Sequence, residues 1–249
     1  MRYFYRFLSL DKRVRFFYNE NMDTFVNIEP IGYIKTDFKE KFGIPRQGGR
    51  AKSLTAQIIF YPKYRSPQAL RGIEGFSHLW LLFDFSLTRN QGWSPTVRPP
   101  RLGGNTRVGV FASRSPFRPN HIGLSCVKLV QILPTKEYGD TLIVSGADLL
   151  DNTPIFDVKP YLPHSDCVLD AVGGYADAVE NHALQVVFPN KLLQQIPLEK
   201  QQGLIECLTD DPRPAYKDEP DRIYGMKFDC FEIKFQVQND TLTVISVEK

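Results

Sequence analysis

From Thr24 onward the chain alternates between short apolar runs and polar breaks rich in Gly, Pro and Asn. Segments 25–34, 54–60, 78–85, 108–112, 122–133 and 141–149 are rich in Val, Ile, Leu, Phe and Thr. Each is bounded by turn residues, and this pattern predicts strands. In 78–85, Trp80 and Leu82 alternate with Leu81 and Phe83, so both faces of that strand are expected to be covered. Residues 68–72 predict one helical turn. No regular helical pattern separates the strands, which argues against a doubly wound α/β sheet. The expectation is a mostly β chain with an antiparallel β-barrel core. No G-x-G-x-x-G follows a strand and no G-x-x-x-x-G-K-[ST] is present, which argues against the common nucleotide-binding frameworks.

The pattern changes near Tyr175. Residues 190–208 place Leu192, Leu193, Ile196, Leu198, Leu204, Ile205 and Leu208 at helical spacing, with Pro197 breaking the helix in two. Two strands are predicted after it, at 226–236 and 242–247, joined by a turn at Gln238-Asn239-Asp240. The expected organisation is a leader at 1–21, a β-barrel domain at 22–174 and a small α+β C-terminal domain at 175–249.

Composition adds little. At 249 residues, with 42% hydrophobic and 24% charged residues, the chain has the makings of an ordinary core. A formal net charge of +3 does not mark a nucleic-acid binder, so any basic surface must come from local clustering. Cys126, Cys167, Cys207 and Cys230 fit no zinc spacing and no C-x-x-C pair. They read as small buried hydrophobes of a reduced, cytoplasmic protein, and no metal site is expected. No run approaches the roughly 20 apolar residues of a membrane span. The basic, aromatic N-terminus lacks a continuous apolar core and a cleavage site. It reads as an RNA-covering arm, as a poorly ordered leader, or as sequence upstream of a start at Met22.

Three segments carry candidate chemistry. Residues 42–49 (FGIPRQGG) form a Gly-rich loop with one Arg and one Gln, which suits a carboxylate or a nucleobase edge as well as a plain surface loop. Residues 93–104 (WSPTVRPPRLGG) are long, basic and proline-stiffened, and Arg98, Arg101 and nearby Arg107 suit phosphate contact. Residues 112–123 (ASRSPFRPNHIG) hold Arg114 and Arg118 together with Pro116 and Pro119, which fix the backbone, a preorganised setting for an anion-binding fork.

Taken with GFSHLW at 75–80, D-x-TP at 151–154, D-x-KPYLP at 157–163 and DPRPAY at 211–216, these strings resemble the TrmO family in order from about Phe25 to the C-terminus. The resemblance implies a β-barrel, S-adenosylmethionine-dependent methyltransferase. Its members methylate N6 of N6-threonylcarbamoyladenosine beside the anticodon of a tRNA, typically a threonine tRNA, and are generally homodimers.

The resemblance also implies site residues. Cofactor contacts fall on Pro45, Arg46, Gln47, Ser86, Leu87, Arg114, Leu124, Asp151, Asn152, Thr153 and Pro154. Within them, Arg46 or Arg114 suits the methionine carboxylate. Asp151 suits the ribose hydroxyls or the amino group, and Leu87 and Leu124 suit the adenine faces. Relatives often carry His near the position of Ser86, so no catalytic base is expected there. Asp157 and His78 are the candidate bases for the ureido N–H of the target, with a satisfied core histidine as the other reading of His78. Contacts to tRNA are expected from Arg98, Arg101, Arg118, Asp211, Arg213 and Tyr216, with Tyr216 stacking on a base. For the DPRPAY segment a rigid turn joining the two domains is the alternative. Two rival functions stand beside this one: a non-catalytic RNA-binding barrel, and a methyltransferase for another substrate. Ser113, Ser115 and His121 make no convincing hydrolase triad.

Overall fold

The computed structural model describes residues 27–102, 105–179, 183–213 and 219–249, with the backbone alone at 101, 178 and 179. The expected leader lies outside the described residues.

The first six-stranded unit is a closed antiparallel barrel. Its strands are β1 (Gly32–Lys35), β2 (Thr55–Phe60), β3 (His78–Asp84), β6 (Ile122–Thr135), β7 (Gly139–Ser145) and β8 (Thr153–Pro160), ordered β1-β2-β7-β6-β3-β8 with β8 returning to β1. Between β3 and β6 a two-stranded ribbon, β4 (Thr96–Val97) and β5 (Val108–Gly109), stands apart from the ring. The interior is filled by Ile34, Ile58, Leu79, Leu81, Val127, Leu142, Val144 and Ile155, all essentially inaccessible. Six strands enclose a space that side chains fill, so the barrel is a packed core rather than a channel.

Several expectations change at the level of single elements. The strand expected at 108–112 is two residues long and continues as a 3-10 turn, Val110–Ala112. Strand β8 was not expected, because Pro154 and Pro160 flank it and Pro removes a ladder donor. Both prolines sit near its ends, opposite Tyr33 and Leu79, and the ladder with β3 carries an irregularity between Leu82 and Phe83. The cysteines do not share one environment. Cys207 is buried, and burial pushes its thiol far up, whereas Cys167 and Cys230 are exposed.

After a short α1 (Pro163–Asp166) comes the C-terminal unit. It holds β9 (Gln185–Val187), α2 (Asn190–Leu193), α3 (Leu198–Thr209), β10 (Ile223–Phe228), β11 (Phe231–Gln238) and β12 (Thr241–Glu248). Pro197 separates the helices as its missing N–H requires. The single strand expected at 226–236 is a hairpin: Phe228 faces Phe231, and Asp229 turns the chain at φ 54°. Polar–apolar alternation along β10 to β12 buries Tyr224, Met226, Phe228, Ile233, Phe235, Val237 and Leu242 against Leu204 and Leu208 of α3. This second core also takes Phe38, Ala51 and Leu54 from the β1–β2 connection. Gly203 allows the close approach there, since a Cβ on it would lie 2.3 Å from Leu54 Cγ. The connection between two barrel strands thus roofs the C-terminal sheet and ties the two cores together.

Candidate functional site at one end of the barrel

The strand register sends three connections out of the same barrel end. Ile34 of β1 faces Thr153 of β8, Thr55 of β2 faces Ser145 of β7, and Asp84 of β3 faces Ile122 of β6. Residues 36–54, 85–121 and 146–152 therefore rise side by side. Pro45, Arg46, Gln47, Ser86, Leu87, Arg114, Asp151 and Asn152 lie on these connections. Leu124, Thr153 and Pro154 lie in the first residues of β6 and β8 beside them.

The Gly-rich loop lies flat on the barrel. Gly49 N–H donates to the Gly146 carbonyl at 2.8 Å, and a Cβ on Gly48 would come within 3.1 Å of the Cys126 carbonyl oxygen. Glycine here provides contact between backbones. Pro45 is buried and Gln47 is exposed. Arg46, expected at the cofactor, is engaged by the C-terminal unit. Its guanidinium donates to the backbone carbonyls of Asp211 (3.2 Å) and Arg213, and its N–H donates to Asp210 Oδ2 at 3.2 Å. A fork matched to carbonyls of the C-terminal unit serves as a clamp.

The 85–121 connection divides its polar groups differently. Arg118 donates to the carbonyls of Ser113 (3.0 Å) and Ser115 (3.4 Å), and the Ser113 and Ser115 hydroxyls accept backbone N–H groups of the same loop. Arg118, expected on tRNA, braces its own loop. Arg114 is exposed and makes no hydrogen bond or ion pair with the described residues. Ser86 is exposed, Leu87 is 54% exposed, and Leu124 is 47% exposed on a strand whose alternate residues are buried. Arg98 is exposed on the ribbon segment, and the Arg101 side chain lies outside the described residues.

Asp148, on the third connection, is a polar centre that sequence reasoning placed at the end of a strand and passed over. Its carboxylate accepts the Ser125 hydroxyl, lies beside Gly48, and feels the charge of Arg114. Burial pushes its carboxyl above the usual range, with Ser125, backbone N–H groups and Arg114 partly opposing that shift. The available signal was a lone acid in the apolar run VSGADLL. Asp151, by contrast, is held on both oxygens: Thr36 N–H donates to Oδ1 at 3.0 Å and Lys39 to Oδ2 at 2.9 Å. Burial opposes its ionisation, but the Lys39 and Thr36 bonds and the charges of Lys39 and Lys35 outweigh it and hold the carboxyl below the usual range. Asn152 adopts φ 62° and accepts Lys35 Nζ at 2.7 Å.

The two candidate bases separate. Leu82 stands between Leu124 of β6 and Asp157 of β8, so Asp157 lies two strands from Leu124, and it forms a 2.9 Å ion pair with Lys159. His78 lies four residues from Leu82 along β3, about 13 Å at strand rise. Its Nδ1 is 2.9 Å from Ser77 Oγ, and its ring packs near Tyr161. The structure does not bring His78 to the gathered connections.

Asp211 and Arg213, expected at tRNA, are engaged with each other. Both are buried, Arg213 Nε and its terminal nitrogen bind the two Asp211 oxygens at 2.9 and 3.0 Å, and Arg50 lies 3.9 Å from Asp210. The carbonyls of this turn accept Arg46 from the β1–β2 connection. Tyr216 lies outside the described residues. Among the described residues no group of three or more His, Cys, Asp or Glu is placed to hold a metal, and no helix is long and apolar enough to cross a membrane.

An antiparallel barrel whose loops gather arginine, carboxylate and exposed leucine at one end, roofed by an α+β unit, defines a class of two-domain protein distinct from the parallel-sheet nucleotide binders. Its first domain, residues 33–167, matches the family model of the tRNA-methyltransferase O N-terminal domain, and residues 181–249 match that of the TrmO C-terminal domain. The chain belongs to the TrmO family. It is 41% identical to the tRNA (adenine(37)-N6)-methyltransferase of Escherichia coli (strain K12), over 88% of this chain and 97% of that protein. It is 44% identical to a Pseudomonas aeruginosa protein described as a candidate S-adenosylmethionine-dependent methyltransferase, over 81% of this chain and 88% of that one. The crystal structure of TrmO from Pseudomonas aeruginosa superposes with a TM-score of 0.74 at 35% identity, covering 92% of this chain and 99% of that one.

Proposed function

We propose that this chain is an S-adenosylmethionine-dependent tRNA (adenine-N6)-methyltransferase. Its target is N6-threonylcarbamoyladenosine next to the anticodon, at the position 37 named for its relatives, with threonine tRNA as partner. The observation that carries the reading is the gathering of three connections at one barrel end, which, with the start of β6, bear Arg114, Asp148, Leu87 and Leu124.

These residues fit the donor. Arg114 offers an unengaged guanidinium for a carboxylate. Leu87 and Leu124 offer exposed apolar surface for a purine face. Gln47 offers an exposed amide for a polar edge. When bound, S-adenosylmethionine supplies an electrophilic methyl group. The chain's own residues then align the target nitrogen, exclude water and take up its proton.

Asp157, level with Leu124 across Leu82 of β3, is the proton acceptor of choice. The ureido N–H of the threonylcarbamoyl group is more acidic than a plain exocyclic amine, which suits a carboxylate base. Arg98 and Arg101 of the ribbon segment and Tyr216 of the C-terminal unit supply phosphate and stacking contacts to the anticodon loop. A homodimer is part of the proposal, supported by the exposed Trp93, Phe111 and Phe117 on the connection between β3 and β6. The cytoplasm is its place, in keeping with cysteines that follow no disulfide or zinc pattern.

The test is methyl transfer from labelled S-adenosylmethionine to tRNA that carries or lacks the threonylcarbamoyl group. Label confined to the modified tRNA is the expected result. Label in both would remove the substrate assignment. Label in neither, with no cofactor binding, would leave the RNA-binding barrel in front.

A further inference from the structure

The outer wall of the barrel runs away from the gathered connections across β6, β3 and β8. Leu79, Leu81 and Phe83 enter the core, so Trp80 and Leu82 of β3 face outward. The register sets two levels on that wall. Leu124, Leu82 and Asp157 make one, and Cys126, Trp80 and Lys159 make the next one away from the connections. Lys159 Nζ reaches back to Asp157 Oδ2 at 2.9 Å. Trp80 is held beside Lys159: its Nε1 donates to Asp166 Oδ2 at 2.9 Å, and its ring lies 5.7 Å from that of Tyr161.

We propose that Lys159 is the specificity-determining residue for the acceptor, binding the carboxylate of the threonylcarbamoyl group beside Trp80 while N6 lies at Asp157. The inference rests on the substrate reading above and assigns the part of the nucleoside that sets it apart from plain adenosine. On the ligand, the carboxylate is separated from N6 by a carbonyl carbon, a nitrogen and one further carbon. On the protein, Asp157 and Lys159 are two residues apart on one face of β8, about 7 Å at strand rise, a similar reach. An acceptor with N6 at the level of Asp157 and its side arm along the wall therefore brings its carboxylate to Lys159. Lys128 stands opposite His78, a further level away.

The ammonium is available for exchange. The side chains of Lys159 and Asp157 are 62% and 43% exposed, and a pair so open to water adds little to stability. A substrate carboxylate gives Lys159 a new charge-assisted bond. Drawing Lys159 away leaves Asp157 without its cation and ready to accept the N6 proton. One group thus selects the modified nucleoside and releases the base. Plain adenosine offers Lys159 nothing, and Asp157 stays paired.

The test is single-turnover methylation of two anticodon stem-loop RNAs by the full chain. One carries the threonylcarbamoyl group. The other carries its threoninamide counterpart, in which a neutral amide replaces the carboxylate. Wild type is expected to favour the acid by about tenfold to a hundredfold. Lys159→Gln should lower the rate on the acid and bring the ratio of the two RNAs to within about twofold of unity. Lys159→Arg, which keeps the charge, should restore part of that ratio. Both variants should keep S-adenosylhomocysteine affinity within about twofold of wild type by calorimetry, since Lys159 stands outside the donor contacts. A wild type that treats the two RNAs alike would overturn the proposal. So would a Lys159→Gln chain that loses rate equally on both and keeps the ratio, the mark of a role through Asp157 alone. A wild type that methylates neither RNA would instead overturn the substrate reading on which the proposal stands.

Discussion

The loop around Arg114 and the turn around Arg213 are both short arginine- and proline-bearing segments, and they do opposite things. At the barrel end, prolines and the Arg118 brace hold the backbone while Arg114 stays exposed, with no partner among the described residues. At the inter-domain turn, Arg213 is buried on Asp211, and the carbonyls of the same turn hold Arg46. The first segment presents a donor, and the second saturates its own. The residue type does not decide between contact and clamp. The neighbours that consume its hydrogen bonds do.

Breaking the clamp should give the largest effect. Arg213→Ala leaves the buried Asp211 carboxylate without its fork and should cost about 3 kcal/mol of stability, read from denaturant unfolding. Arg213→Lys should recover little of it, because one ammonium cannot replace two parallel bonds. Unchanged stability with weakened tRNA binding would return Arg213 to the RNA surface. Next comes the contrast along β3. Asp157→Asn should lower single-turnover methylation about a hundredfold or more, whereas His78→Ala should change it by less than about threefold. The reverse order would move the chemistry to the far end of the strand.

A smaller effect sharpens the difference between the two acids. Because the folded carboxyl of Asp151 lies below its ordinary value, its ion-pair contribution is present above about pH 4 and is lost as pH falls through the lower, folded value. Asp151→Asn should therefore cost about 1–2 kcal/mol at neutral pH, and the difference from wild type should close in acid. The smallest effect belongs to Arg114: Arg114→Ala should move stability by less than about 0.5 kcal/mol while removing a ligand contact.

Much of the barrel was legible because its strands alternate and their ends carry turn residues. Strand β8 was not, since Pro154 and Pro160 disguise it, and the Phe228–Phe231 hairpin was hidden by an apolar run that reads through the turn. The segments that gather at the barrel end were legible as motifs. Which arginine is engaged by the protein itself was not, because Arg46 and Arg114 differ only in long-range partners, 165 residues away in sequence for Arg46 and its Asp211 carbonyl. Asp148 escaped for a related reason: the Ser125 and Gly48 that make it a centre come from strand β6 and from the β1–β2 connection.

The location of the site is the central claim, and a residue-resolved map of ligand binding tests it most directly. Backbone amide NMR spectra of the chain would be recorded with and without S-adenosylhomocysteine. Shifts concentrated at 46–49, 86–87, 114, 124–125 and 148–153, with His78 and β10 to β12 quiet, are the expected result. Shifts centred on His78 or on the C-terminal sheet would contradict the account.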